Sequence, residues 1–425
     1  MAKPKLCLIP AAQGSKLFSV LPSSGVGDFD FTRSGSATRI NSQGLIETVG
    51  NGVSRLNYPM IDGKVVGCPH HILEPQRTNS ILQSNKFDTT WVAANSTVTP
   101  NSVISPSGNL DAWKIQSTVT NSETRVRQSY NFTVGNTITL SCFMKAGTVN
   151  FGIVRTYAIS GGGRAWFDLL NGTVRTENTG ITGKIENYGN GWYRCSITGT
   201  INTTGAIDLS PAHADNEYLS DAVGENIYIF GTQLEINSNY PTSYIPTNGS
   251  AVTRAAEVAT GSGDAATFND SEGVLMAEIS DLADYSGLRT ITIGDNSSSN
   301  AVSIRIDNAN LINMYVNVGG ANQCAFTSNV PTSLFNKCLI KYKANDFSAW
   351  VNGFKIGVDT SGIIFPSGTL NRLNFDIGYS STSAFYGKTK QVQYYNSALT
   401  DSELEQLTSW TSFSDMANGQ LYTIE

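Results

Sequence analysis

Apolar and polar residues alternate with a period of two through much of this chain, and the alternating runs are bounded by clusters of Gly, Asn, Ser and Asp. Residues 137–145, 226–236 and 302–306 are clear cases. Alternation of this kind, rich in β-branched and aromatic residues, predicts half-buried antiparallel strands. Two Asn-Gly pairs, Asn171-Gly172 and Asn352-Gly353, stand between such runs. They predict type I′ hairpins, because Asn-Gly supplies the positive φ angles that turn requires. Helical periodicity is nearly absent. The exception is residues 400–407, where Thr400 and Glu403 form a capping box with Leu399 and Leu404 in the staple positions. This helix is expected to seal an edge or open end of the last β domain. The fold class that follows is all-β: two antiparallel β-sandwich or jelly-roll domains, preceded by an irregular N-terminal anchor segment, with one short C-terminal helix.

Composition shifts set the boundaries. Residues 1–85 are irregular and rich in Gly and Pro. Residues 86–247 form one β run, 248–268 a linker, 269–410 a second β run, and 411–425 a tail. Arg33, Arg39, Arg55 and Arg77 lie in the first segment, which has few strand signals and many turns. Such a segment buries little surface alone, so it reads either as an anchor ordered against a partner, where arginine is favoured, or as a small subdomain packed on the first jelly roll.

Only 15% of the residues are charged and 40% are hydrophobic, with a net charge of −6. The missing charge is replaced by Ser, Thr, Asn and Gly, as in many extracellular β-rich proteins. No Lys/Arg run exceeds two residues, which excludes a general nucleic-acid binder that must displace phosphate counterions. No run of 18 apolar residues exists, so no helical membrane span is expected. Residues 1–10 resemble a signal peptide only faintly and are read as mature sequence. The six cysteines, Cys7, Cys68, Cys142, Cys195, Cys324 and Cys338, form no C-x-x-C pair and several sit in strand-like runs. They read as buried free thiols, with disulfides not implied by spacing.

Catalytic motifs are missing. With three histidines (His70, His71, His213), no H-E-x-x-H and no G-x-S-x-G, zinc-protease and nucleophile-elbow chemistry have no foothold. Gly387-Lys-Thr lacks the first glycine of a P-loop, and Gly161-Gly-Gly163 precedes a strand rather than a helix. Cys68-Pro-His70-His71 is a soft-ligand cluster, but adjacent side chains on extended chain face opposite ways, which favours packing over a shared metal. The acids Asp208, Asp215, Glu217, Asp221 and Glu225 read as a solvated or calcium-binding loop, with glycoside hydrolysis as the sharper alternative. No metal ligand set and no cofactor is assigned, and calcium stays open.

What remains is binding. Sugars present apolar faces and a ring of hydroxyls, which aromatic and hydrogen-bonding side chains can answer together. Arg155 and Tyr157 on one run, and Arg164, Trp166 and Asp168 on the next, form such a patch if alternation brings them to one face. The alternative places Trp166 in the core with the charges at its rim.

Three stretches carry a resemblance. They are 28–47 (Asp-Phe-Asp-Phe-Thr-Arg-Ser-Gly-Ser-Ala-Thr-Arg-Ile-Asn-Ser-Gln-Gly-Leu-Ile-Glu), 73–79 (Leu-Glu-Pro-Gln-Arg-Thr-Asn), and Gly-Thr-Gln-Leu-Glu at 231–235 with Tyr-Pro-Thr-Ser-Tyr-Ile-Pro-Thr at 240–247. Their order and spacing resemble tailed-bacteriophage virion proteins of the tail-fibre, tail-spike and head-fibre type, with a carbohydrate-binding-module-like jelly roll between the second and third. Residues 269–410 separately resemble a laminin-G or concanavalin-like sandwich, through Phe-Ser-Ala-Trp-Val-Asn-Gly at 347–353, Phe-Asp-Ile-Gly at 375–378 and Ala-Leu-Thr-Asp-Ser-Glu-Leu at 398–404. The resemblance implies a non-catalytic virion-surface protein that attaches the particle to bacterial surface glycans. It further implies capsid or tail partners, a homo-oligomer (a trimer by analogy) and assembly in the host cytoplasm. A capsular polysaccharide depolymerase and a secreted bacterial adhesin are the alternatives. The chain lacks the repeating or coiled-coil stem that fibre shafts often show.

Overall fold

The computed structural model describes residues 3–13, 16–282, 287–378, 383–412 and 414–415. Every strand pair among them is antiparallel, as the alternation predicts. The first sandwich has two six-stranded sheets. One sheet runs, in spatial order, Val92–Ala94, Arg125–Tyr130, Gly205–Ala212, Phe151–Thr156, Arg164–Asp168 and Thr173–Glu177. The other has Thr137–Ala146 between Asn226–Ile236 and Trp192–Thr200 at its centre. Inward residues such as Leu140, Val154, Phe167, Ile207 and Ile229 close the core between them.

The second sandwich packs a five-stranded sheet, with Ala301–Ile306 at its centre, on an eleven-stranded one. Here the N-terminal expectation is corrected. The described part of residues 1–85 is not irregular. Strands Leu6–Gln13, Lys16–Leu21 and Phe29–Thr32 extend the large sheet beyond Gly387–Tyr395, and His70–Leu73 pairs with that same strand. Leu6, Leu8, Leu17, Phe29 and Phe31 are buried in one core with Ile291, Ile304 and Leu373. The reason is that a chain rich in turns can still lend short apolar strands to a distant edge, where each buried large side chain contributes roughly 1.5–3 kcal/mol. The presumed linker is also built in. Val252–Arg254 pairs with Arg77–Asn79, Val258–Thr260 pairs with Phe29–Thr32, and Ala259 and Phe268 are core residues.

Two of the four arginines proposed for an anchor, Arg33 and Arg55, are likewise reassigned. Glu257 accepts from Arg33 Nη1 at 2.7 Å, from Arg55 Nε at 2.8 Å and Nη2, and from the Glu74 amide at 2.9 Å. Glu74 in turn pairs with Arg55 and Arg254, each at 2.8 Å, and accepts from the Ser243 amide at 2.9 Å. All five side chains are at most 3% exposed. Arg33 and Arg55 therefore tie the N-terminal strands to the inter-sandwich segment and face no partner. Arg39 pairs with Glu47 at 2.9 Å, and Arg77 donates to the Gln76 carbonyl at 2.9 Å.

The helix spans Asp401–Thr408 with Thr400 as N-cap and the capping box in place. It does not seal an edge. Leu399 and Leu404 pack with Val274, Leu339 and Trp350 on the outer face of the large sheet. Asn352-Gly353 turns with both φ angles positive, 51° and 87°. Asn171-Gly172 does not: only Gly172 is positive (65°), and its N–H closes a wider turn on the Asp168 carbonyl at 2.9 Å. The six thiols are free, five of them buried and Cys68 exposed. No helix among the described residues is long and apolar enough to cross a membrane. Most of the 411–425 tail lies outside the described residues.

Candidate functional site

Strand register decides the sugar-patch question. Ile153 lies opposite Trp166, Arg155 opposite Arg164, and Phe151 opposite Asp168. Gly152 and Val154 face inward, so the odd positions of this strand and the even positions of the next share the outer face of the sheet. The five candidates are thus brought to one side, but they divide into two roles.

Trp166 and Asp168 are foundation. Trp166 is 2% exposed, packs with Ile153 and Ala212, and donates its indole N–H to the Glu217 carbonyl at 2.6 Å. The loop after Ala212 covers it, so its ring face is closed to a ligand. Asp168 accepts from the Leu170 and Asn171 amides, each at 3.0 Å, and from Asn171 Nδ2 at 2.8 Å. Burial alone would raise its pKa, but these Asn171 and backbone bonds lower it.

Arg155, Tyr157 and Arg164 are different. The Arg155 guanidinium lies 3.7 Å from the Tyr157 ring centre, and Arg127 lies 4.3 Å from the same ring. Asp208 holds Arg127 with two bonds of 2.7 and 2.8 Å, while Glu123 pairs with both Arg155 and Arg125. Arg164 lies 4.8 Å from the Tyr218 ring centre, with no carboxylate within 4.0 Å among the described residues. Arg125, Arg127, Arg155 and Arg164 are thus matched by the two acids Glu123 and Asp208. The face carries surplus guanidinium charge on aromatic supports, with Tyr218 43% exposed. Guanidinium N–H groups and a flat accessible ring can grip hydroxyls and an apolar sugar face together.

Sequence reasoning missed Arg125, Arg127, Glu123, Asp208 and Tyr218 as parts of this face. Arg125-Val-Arg127 carried a signal, since two arginines at period two share a face. Tyr218 carried none, because a loop delivers it.

The acid-rich loop is mostly engaged. Asp208 is buried under Arg127, and Asp215 accepts from the Thr176 amide at 3.0 Å. His213, Asp221 and Glu225 each place one ligand atom within 4.8 Å of the others, with His213 Nε2 3.2 Å from Asp221. Two carboxylates and an imidazole are a poor match for calcium, which takes six to eight oxygens. His70 and His71 leave their strand on opposite faces: His71 packs edge-on against Phe31 and Phe375, and His70 against Phe335.

Residues 281–405, under a third of the chain, match the Laminin_G_3 family, described as the concanavalin A-like lectin/glucanases superfamily. The laminin-G-like expectation for the second sandwich therefore holds. That description covers lectins and glucanases alike, so it speaks to fold and not to catalysis. No curated protein matches the chain. Among solved structures, the chain is similar to the Ruminococcus gnavus IT-sialidase CBM40 bound to α2,3-sialyllactose, at 18% identity over 35% of this chain and 94% of that one, with a TM-score of 0.30. It is similar to a putative carbohydrate-binding protein from Bacteroides ovatus at 15% identity over 65% and 82%, TM-score 0.27. Domains LG4-5 of the mouse laminin α1 chain are similar at 9% identity over 79% and 96%, TM-score 0.24. No functional meaning attaches to likenesses of this size.

Proposed function

We propose that this protein is a non-catalytic carbohydrate-binding component of a bacteriophage surface, a tail or head fibre or decoration protein that holds the particle to bacterial surface glycans. The carrying observation is the outer face of the first sandwich, where Arg155, Tyr157 and Arg164 join Arg125, Arg127 and the exposed Tyr218 over a rigid Trp166 base. The lectin-type family match of residues 281–405 supports a binding rather than a membrane or nucleic-acid role. The virion assignment rests on the resemblance of stretches 28–47, 73–79 and 231–247 to phage fibre and spike proteins. Virion partners, a homo-oligomeric state and assembly in the host cytoplasm come with that assignment.

Full-length protein carrying Arg164→Ala and Tyr218→Ala together tests the glycan reading. The pair should stay folded and lose retention on host cells; retention equal to the parent protein rejects this face. Mass spectrometry of purified virions tests the location, and absence of the chain from the particles rejects it. Deleting the N-terminal strands would not be informative, because it opens the second core.

A further inference from the structure

An unassigned opening lies between the two sandwiches, roofed by the N-terminal segment. It is a cavity of about 500 Å³, and a smaller one of about 160 Å³ shares Ile40, Asn57, Glu186, Tyr188 and Lys388 with it. Beside its lining residues Asp62 and Tyr188, Gly63 and Gly189 approach so closely that a methyl group at Gly63 would fall 2.6 Å from the Gly189 Cα. Tyr58, Tyr188, Tyr193 and Phe335 give it aromatic walls. A space of this size, with polar side chains set among aromatic walls, has the character of a small-ligand site.

Strand pairing places its polar groups. Lys388 lies opposite Ile72 on one side and Ser280 on the other, and His70 lies opposite Asn57. Period two therefore puts His70, Ile72, Lys388 and Ser280 on the same sheet face, toward the cavity. Three of these four are polar: His70 is answered at one ring nitrogen only, Ser280 Oγ has no hydrogen-bond partner, and Lys388 makes no ion pair within 4.0 Å among the described residues.

His70 is 2% exposed, and its protonation can be followed bond by bond. Asn57 Oδ1 accepts from the Ile40 amide at 2.8 Å, which turns Asn57 Nδ2 toward His70 Nε2 at 3.2 Å. Nδ2 can only donate, so Nε2 accepts. In a neutral ring the other nitrogen then carries the proton. Burial, then the charges of Lys388 and Lys390, keep the ring neutral. Nδ1–H is thus a donor, and it has no partner. Ser280 Oγ, 1% exposed, has none either. Lys388 has no carboxylate within 4.0 Å among the described residues. Its neighbour Lys390 reaches Glu278 at 3.6 Å, and Lys184 reaches Glu186 at 2.8 Å. Buried donors without acceptors are rare in folded proteins and call for a specific explanation.

We propose that this cavity is a second binding site, for a sugar unit bearing a carboxylate. The carboxylate would accept from Lys388 and His70 Nδ1–H, and the sugar ring would lie among the tyrosines. Two unanswered donors, one of them cationic, fit an anionic acceptor better than a neutral hydroxyl. Glu186 at the shared wall is left to accept from ring hydroxyls. The site is separate from the arginine face, and only its ligand class rests on the carbohydrate-binding reading.

The test uses the full chain, an array of acidic and neutral bacterial glycans, and calorimetry on the best acidic hit, its carboxyl-reduced form and inorganic phosphate. The acidic glycan should bind, and the carboxyl-reduced form and the Lys388→Gln variant should each weaken binding by about tenfold or more, the size expected for losing a charge-assisted hydrogen bond. Lys388→Arg should restore most of it, and Thr400→Ala, at the helix cap away from both binding regions, should leave it unchanged. Equal binding of the neutral form, or full binding by folded Lys388→Gln, overturns the site while leaving the arginine face standing. Dependence on Arg164 in place of Lys388 does the same. Phosphate competing as well as the glycan overturns the sugar assignment, and no binding to any acidic glycan overturns the proposal.

Discussion

Two charged regions meet at the strand His70–Leu73, and they treat buried polarity in opposite ways. On one side, Glu257 and Glu74 are matched by Arg33, Arg55 and Arg254 in buried ion pairs, which neighbouring carbonyls and amides complete. On the other, His70 Nδ1 and Ser280 Oγ are buried without partners, and Lys388, with no carboxylate within 4.0 Å among the described residues, lines the same cavity. The difference teaches where structure ends and binding begins. A closed set of buried ions holds segments together and offers nothing to a ligand. An open set costs stability unless something answers it.

The junction gives the largest expected effect. Glu257→Gln leaves Arg33 and Arg55 buried without their shared counter-ion and should cost about 3–5 kcal/mol in urea unfolding. A loss below about 1 kcal/mol would erase the contrast, because the junction would then be no more closed than the cleft. The arginine face offers a comparison of the same kind. Trp166→Ala should cost about 3–5 kcal/mol through its core position, whereas Arg164→Ala should stay within about 0.5 kcal/mol and act on glycan retention only. If the two substitutions cost the same stability, the division into base and binding surface is wrong.

Acid separates the regions further. Burial holds His71 at about 4, against 6.5 for an open histidine. The unfolded chain therefore takes up a proton first as the pH drops, so stability is complete above 6.5 and declines down to about 4. The size is on the order of 3 kcal/mol. Burial would raise the Glu74 pKa, but Arg254 and Arg55 beside it win and hold it at about 2, against 4.5 unperturbed. Its contribution is present above 4.5 and is lost as pH falls from 4.5 toward 2. Urea midpoints at pH 7, 5.5 and 4.5 should fall in that order; a flat series would mean that His71 is not held as the junction geometry requires. The smallest effect belongs to the helix cap, where Thr400→Ala should cost about 1 kcal/mol by thermal melting. It should leave both binding regions untouched.

Part of this was legible in the residues themselves. Alternation grouped Arg155 with Tyr157, and Arg164 with Trp166 and Asp168, leaving strand register to join the two groups, and the capping box located the helix at Asp401–Thr408. The split between Trp166 and Arg164 was not legible, because a loop from residue 213 onward covers one and leaves the other beside Tyr218. The N-terminal strands misled for a related reason. Leu56–Asn57, Met60–Ile61 and Lys64–Val65 are two residues long, too short to show a period.

The sequence by itself determined the local matters: an all-β chain, strand faces, turns and one capped helix, since these depend on neighbours a few residues apart. Tertiary structure alone decided that strands from residues 6–73 complete the C-terminal sandwich, that Arg55 meets Glu257, and that Lys388 and His70 line one wall of a cavity. Those contacts join positions separated by hundreds of residues, and no local pattern records which distant strand edge will accept a short strand or which buried charge will find its counter-ion.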